Sequence, residues 1–186
     1  HRAFGHDLSL LSREAAEASG EALASSAAEA VKDADVVVTM LPAGKHVLSV
    51  WAEIIDALKP GALMIDCSTI DVESAREAHR LAKEASCLSL DAPVSGGTGG
   101  ASAATLTFMV GGAEEAFARG DPVLQAMGRR IVHCGDAGAG QAAKICNNMI
   151  LGITMAGVCE AFVLGEKLGL SHQALFDVAS TSSGQC

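Results

Sequence analysis

"ALMIDCSTIDVESAREAHRLAKEASCLSLD", residues 62–91, reads as strand, helix, strand. Its ends, "ALMIDCS" (62–68) and "CLSLD" (87–91), are short apolar runs of strand length. Between them, residues 71–85 are rich in Ala, Glu and Lys and open on Asp71, a residue type that starts helices by accepting a backbone N–H. Alternation of this kind implies a mostly parallel sheet covered by helices on both faces.

The same texture extends outward in both directions. "DVVVTML" (35–41), "TLTFMVG" (105–111) and "RIVHCG" (130–135) read as further buried strands. Helical segments fall at 11–19, 26–33, 44–58 and 113–127, with start signals at Ser26 and at the Gly-Gly of 111–112. From Gly138 to Leu168 the strand signal stops and one long helical stretch takes over. Gly169 closes it, and Ser171 caps a further helix, "HQALFDVAS" (172–180). The expected architecture is therefore an α/β domain over residues 1–137, followed at 138–186 by a long helix leading into an all-helical domain. Neither "HRAFGHDL" at the start nor "STSSGQC" at the end has a terminal signal, so the reading is of an internal piece of a longer protein.

Composition narrows the function classes. At 186 residues, 49% hydrophobic and 19% charged, the chain can bury a core. A net charge of −9 and a pI near 5.0 argue against nucleic acid, whose phosphates need a basic face. The six cysteines (Cys67, Cys87, Cys134, Cys146, Cys159 and Cys186) form no Cys-x-x-Cys pair, and most sit in apolar runs. Buried, reduced thiols in a reducing compartment are expected. No His is spaced for zinc, so His79, His133 and His172 read as surface or structural residues, and no metal is expected. Trp51 and the methionines read as packing. No apolar run reaches membrane-spanning length, and the longest candidate, Met149–Leu164, is broken by Gly152, Gly157 and Glu160. No membrane partner is expected.

Two glycine stretches invite a ligand. "GDAGAGQAAKICNNM" (135–149) contains Gly138, Gly140 and Ala143 in the pattern G-x-G-x-x-A, which can bring a backbone up to a pyrophosphate. Such a turn should be followed, about 20 residues on, by a strand ending in an acidic ribose ligand. Here the helix continues through that distance. The same helix places Lys144 and Asn148 four residues apart, on one face. The second stretch, "DAPVSGGTGGASAATLTFMVGG" (91–112), begins where a strand ends, the usual place for ligands in an open α/β sheet. Ser95 offers a hydroxyl there, and Gly96 and Gly97 offer unobstructed N–H groups, a set suited to a carboxylate.

"DAPVSGG", "TLTFMVGG" and "GAGQAAKICNNM", with "DVVVTMLPAGKHV", "DCSTID" and the closing "SSGQC", resemble the β-hydroxyacid dehydrogenase family, and its 3-hydroxyisobutyrate dehydrogenase branch in particular. The resemblance runs in order over nearly the whole chain. It implies a Rossmann domain, here incomplete, joined through a long helix to an all-helical domain. It also implies hydride transfer from a small β-hydroxyacid to NAD, within valine breakdown. The family's own glycine fingerprint belongs to a strand–helix unit that would precede His1. The Gly138 pattern is then a decoy, and its helix delivers a lysine.

By similarity, Lys144 is the catalytic lysine. Asn148 fills the position one turn later, and Ser95, Gly96 and Gly97 match the loop that holds the substrate carboxylate. Leu41 and Pro42 match a backbone contact to the cofactor, Thr69 and His46 match positions near it, and Asp7 is the candidate ribose ligand. One departure is Ala104, standing where the family has Gly, which strains the turn if it needs positive φ. The resemblance also implies a homo-oligomer at full length, in the mitochondrial matrix of a eukaryote or the cytoplasm of a bacterium. The alternatives are a tartronate semialdehyde reductase, which shares the loop and the lysine, and a non-catalytic fragment or binding module.

Overall fold

Every residue of "LMID" is buried, and that is why this run carries no polar alternation. The computed structural model describes residues 3–185. In it the central strands are β3 (Val36–Thr39), β4 (Leu63–Asp66) and β5 (Leu88–Asp91), paired in parallel with β4 in the middle. Met64 faces a cluster that includes Val37, Val47, Trp51 and Ile54. Leu63 and Ile65 face the other side, against Leu90, Phe108, Val110 and Leu124. A strand covered on both faces must be apolar at successive positions, and β4 is.

The covering helices are α2 (Ala27–Val31), α3 (Gly44–Ile54) and α4 (Val72–Glu84) on the first face and α6 (Glu114–Met127) on the second. On α4 the buried residues are Ala75, Ala78 and Ala82, so the helix lays a row of small side chains on the sheet. Two of the expected start signals act as caps: Ser26 Oγ accepts from Glu29 N at 3.1 Å and Asp71 Oδ1 from Ser74 N at 2.7 Å. The Gly-Gly of 111–112 does not, and α6 starts after Ala113 without a side-chain cap. A 3₁₀ turn, Ile55–Ala57, ends the 44–58 segment.

Beyond β5 the sheet departs from a purely parallel one. β7 (Leu106–Gly111) runs antiparallel to β5, meeting it at Asp91 and Gly111, while β6 (Val94–Ser95) pairs antiparallel with β7 and β8 (Gly128–Gly135) pairs parallel with it. The chain turns back because only a short glycine-rich helix, α5 (Gly97–Ser102), separates β6 from β7. Before the main sheet lies a separate ribbon. β1 (Phe4–Gly5), helix α1 (Leu10–Ala18) and β2 (Ala22–Leu23) form a two-stranded parallel sheet of their own.

The chain divides into two compact units, the first running to Lys144 and the second starting at Ile145. Helix α7 (Ala139–Lys167) spans 29 residues and α8 (His172–Ala179) follows, capped by Ser171 after Gly169 at φ 82°. Within the second unit the ring of His172 meets Phe162 edge-on.

Two expectations need correction here. Only Cys67 and Cys87 are buried; Cys134 is half-buried, while Cys146 and Cys159 are exposed on α7, and Cys186 lies outside the described residues. All five described thiols are free. The apolar setting of Cys146 and Cys159 in sequence misled because Ile145, Met149, Ile150, Ile153 and their neighbours are themselves exposed. In addition, α7 is long and apolar enough to cross a membrane, with a mean hydropathy of 1.6 over its best window. Two glycines and one glutamate break a run of apolar residues but hardly lower its mean. A helix joining the core of a larger protein passes the same test.

Candidate functional site

The carboxyl ends of β3, β4 and β5 gather the polar residues. Asp66 ends β4 at 2% exposure. Its Oδ1 accepts from the Thr39 hydroxyl at 2.7 Å and from the Ser68 hydroxyl at 2.6 Å. Trp51 Nε1 donates to Thr39 Oγ1 at 3.1 Å, so the lone tryptophan both packs and joins this network. Ser68 Oγ in turn accepts from the Leu41 N–H at 2.8 Å, which fixes the turn after β3. Asp66 Oδ2 has no partner, and burial pushes the carboxyl above the usual carboxylate range, with a smaller contribution from neighbouring Asp91. The adjacent Cys67 thiol is pushed up to about 12 by burial, which keeps it an inert thiol.

That turn opens on a cavity of about 810 Å³, lined by Gly5 at the end of β1, by Asp7 after it, by Ser26 before α2, and by Val38, Thr39, Leu41 and Pro42 of β3 and its turn. β1 and β3 thus both border it, while β1 pairs with β2 and β3 with β4. Among the described residues the strand succession β2, β1, cavity, β3, β4, β5 follows the doubly wound order without its first strand. Of the five expected cofactor residues, Asp7, Leu41 and Pro42 meet at this cavity. Asp7 is exposed, and its Oδ1 also accepts from Ser9 N at 2.7 Å, bending the chain into α1. His46 is exposed in the first turn of α3, and Thr69 is exposed between buried Ser68 and Ile70. A carboxylate and open backbone at strand ends fit the ribose side of a dinucleotide. The pyrophosphate side is not met, since residues 1–40 contain no G-x-G-x-x-G.

The residues expected to hold a carboxylate lie at the junction of β6 and α5. Ser95 is half-buried in β6, opposite Thr107 of β7. Gly96 and Gly97 follow at φ 132° and 61°, conformations that glycine adopts without strain. Ala104 does stand at φ 52°, so the alanine occupies a left-handed position.

At the start of α7 the decoy reading acquires a physical reason. Asp91 Oδ1 accepts from Gly138 N at 2.8 Å, and Oδ2 accepts from Gln141 N at 2.9 Å. The N–H groups a phosphate would use are held by a buried carboxylate of β5. A Cβ on Gly140 would stand 2.3 Å from the Met109 carbonyl, so the glycine serves close packing of the helix onto the sheet. Gln141 is fully buried, accepting from Ile70 N at 3.1 Å and donating to the Ser68 carbonyl at 2.8 Å. Lys144 follows one turn later, half-buried, and Asn148 is exposed a further turn along the same helix. The sequence reading missed Asp66, Asp91 and Gln141. The signal for the two aspartates was an acidic residue closing each of two otherwise apolar strands.

His79 is structural, as expected. Its Nε2 lies 2.9 Å from Asp91 Oδ1 and its Nδ1 lies 2.7 Å from Ser89 Oγ. The connectivity mimics a Ser-His-Asp triad, but the serine is buried and the aspartate already anchors α7. His133 stacks on Phe117, with ring centroids 4.5 Å apart, and its Nε2 lies 2.7 Å from the Gly112 carbonyl.

A family model for the NAD binding domain of 6-phosphogluconate dehydrogenase matches residues 1–135. A second, for the NAD-binding region of NADP-dependent 3-hydroxyisobutyrate dehydrogenase, matches residues 138–186. The chain belongs to the β-hydroxyacid dehydrogenase family, built on this NAD-binding fold. It is 53% identical to a probable 3-hydroxyisobutyrate dehydrogenase of Mycobacterium tuberculosis over all 186 residues, which cover 63% of that relative. A solved Mycobacterium tuberculosis 3-hydroxyisobutyrate dehydrogenase with L-serine superposes at TM-score 0.97 and 53% identity, over all of this chain and 64% of that one. An NAD-dependent L-serine dehydrogenase of Pseudomonas aeruginosa is 48% identical over 170 residues, 90% of this chain and 57% of the relative. The chain thus spans under two thirds of the length of these relatives.

Proposed function

We propose that this chain supplies the lysine, the carboxylate loop and part of the cofactor cleft of an NAD-dependent 3-hydroxyisobutyrate dehydrogenase, which oxidises its substrate to methylmalonate semialdehyde in valine breakdown. The observation that carries this reading is the anchoring of α7: Asp91 takes the first-turn N–H groups, so the helix presents Lys144 and not a phosphate site. NAD, when bound, accepts the hydride from the hydroxyl-bearing carbon. Asp7 would accept hydrogen bonds from a ribose hydroxyl, while the Leu41–Pro42 turn and Thr69 would border the cofactor. Ser95, with the N–H groups of Gly96 and Gly97, would hold the substrate carboxylate. Lys144 would take the hydroxyl proton on its amine as the carbonyl forms, and return it in the reverse direction. Asn148, one turn along, would hold the lysine or the substrate oxygen by hydrogen bonds. Assembly as a homo-oligomer belongs to the same proposal, and the apolar side chains left exposed on α7 and α8 support it. Free thiols suit a reducing compartment.

A second reading, oxidation of L-serine, is favoured by the solved relative with L-serine and by the relative named for that activity. Both substrates carry a hydroxyl β to a carboxylate, so the loop and lysine serve either. Steady-state kinetics of the full-length protein on the two substrates decide between them, by the ratio of kcat/KM. In that enzyme Lys144→Ala lowers kcat by roughly 10²- to 10⁴-fold and leaves circular dichroism and NAD affinity unchanged. A folded Lys144→Ala enzyme that keeps its kcat refutes the mechanism.

A further inference from the structure

Between residues 62 and 70, Thr69 alone is exposed. The backbone on each side of it is gripped by one side chain. Gln141 Oε1 accepts from the Ile70 N–H, and Gln141 Nε2 donates to the Ser68 carbonyl. The glutamine itself is fully buried and its own N–H is held by Asp91. An amide is the one uncharged side chain of this length that offers both a donor and an acceptor. An ionised glutamate would face the Ser68 carbonyl with an acceptor, and a leucine would leave both backbone groups unpaired in a buried place.

We propose that Gln141 is a positioning residue that sets the Thr69 turn and the Lys144 helix in one fixed register. The proposal rests on the reading of Thr69 as a cofactor neighbour and Lys144 as the proton-transfer group. Lys144 stands three positions after Gln141 on one helix, so a shift of the glutamine is passed to the lysine within a single turn. The same shift releases the Thr69 turn. Cofactor binding and proton transfer are thereby coupled through a residue that touches neither reactant.

The test uses Gln141→Leu and Gln141→Glu in the full-length protein, with Lys144→Ala beside them. The readouts are NAD dissociation constant, kcat, KM for the hydroxyacid, and hydrogen exchange of the Ile70 amide. Gln141→Leu is expected to weaken NAD about tenfold or more and to lower kcat by a similar factor. KM for the hydroxyacid should stay in place, and the Ile70 amide should exchange faster. Gln141→Glu keeps the acceptor for Ile70, so its amide stays protected, while ionisation of the buried carboxyl as pH is raised removes the donation to Ser68 and weakens NAD. If Gln141→Leu does not fold, Gln141→Glu decides on the same readouts. Lys144→Ala should lower kcat alone. An unchanged NAD affinity and kcat in the folded variants overturns the proposal, whatever Lys144→Ala does. A Lys144→Ala enzyme that keeps its kcat removes the catalytic reading of the lysine, while weakened NAD in the Gln141 variants would still uphold the grip on the Thr69 turn.

Discussion

Asp66 and Asp91 close neighbouring strands in register, and each is 2% exposed, yet they do different work. Asp91 spends both oxygens: Oδ1 on Gly138 N–H and His79, Oδ2 on Gln141 N–H. Asp66 takes two hydroxyls on one oxygen and has nothing on the other. Identical side chains at equal depth thus become a helix anchor in one strand and a carboxyl with a raised pKa in the next. What separates them is donor supply. The chain returns to β5 with the fresh N–H groups of a helix start, whereas Asp66 is met by two side-chain hydroxyls and the backbone of Ser68 in its own neighbourhood.

The largest effect is expected from Asp91→Ala, which leaves Gly138 N–H, Gln141 N–H and His79 without their acceptor. Each buried donor left unpaired costs about 1–3 kcal/mol, and urea unfolding should show the combined loss from the two backbone N–H groups. A loss under about 1 kcal/mol would mean that α7 is held by its packing alone and that the anchor is incidental. Next comes Ser68→Ala, which removes one hydroxyl from Asp66 and the acceptor of Leu41 N–H. A buried donor left unpaired costs about 1–3 kcal/mol, and weaker NAD binding should accompany the lost stability. Stability loss with NAD affinity intact would detach the Leu41 turn from the cofactor.

Asp66→Asn sharpens the contrast through pH and has the smallest effect. The folded protein holds the Asp66 proton more tightly than the unfolded chain does. Its stabilising contribution is therefore full below the unfolded carboxylate value of about 3.9 and is lost as pH rises through the raised folded value. The asparagine variant has no proton to lose. Relative to wild type it should gain stability as pH is taken from 4 to 8, measured by urea unfolding at each pH. Parallel curves would show that Asp66 ionises in the fold at no cost.

Much of the architecture was legible in the sequence because the central strands are long enough to show an apolar run and the helices between them carry caps. "LMID", Asp71 and Ser171 are instances. β2 and β6 escaped because two residues cannot display a period, and α5 escaped because "GTGGAS" is composed of poor helix formers. The antiparallel turn at β7 followed from that omission. Lys144 and the serine–glycine loop were legible as motifs. Gln141 was not: a neutral polar residue in a helix reads as solvent-facing, and only the fold of the 66–70 turn against α7 buries it.

The ribbon of β1 and β2 has a consequence for how the molecule holds together. Two strands of two residues pair with each other, across a cavity from the main sheet, and such a ribbon has little stability of its own. The ribbon therefore takes its place from α2, which packs against β1 and sends Val31 into the core of the main sheet.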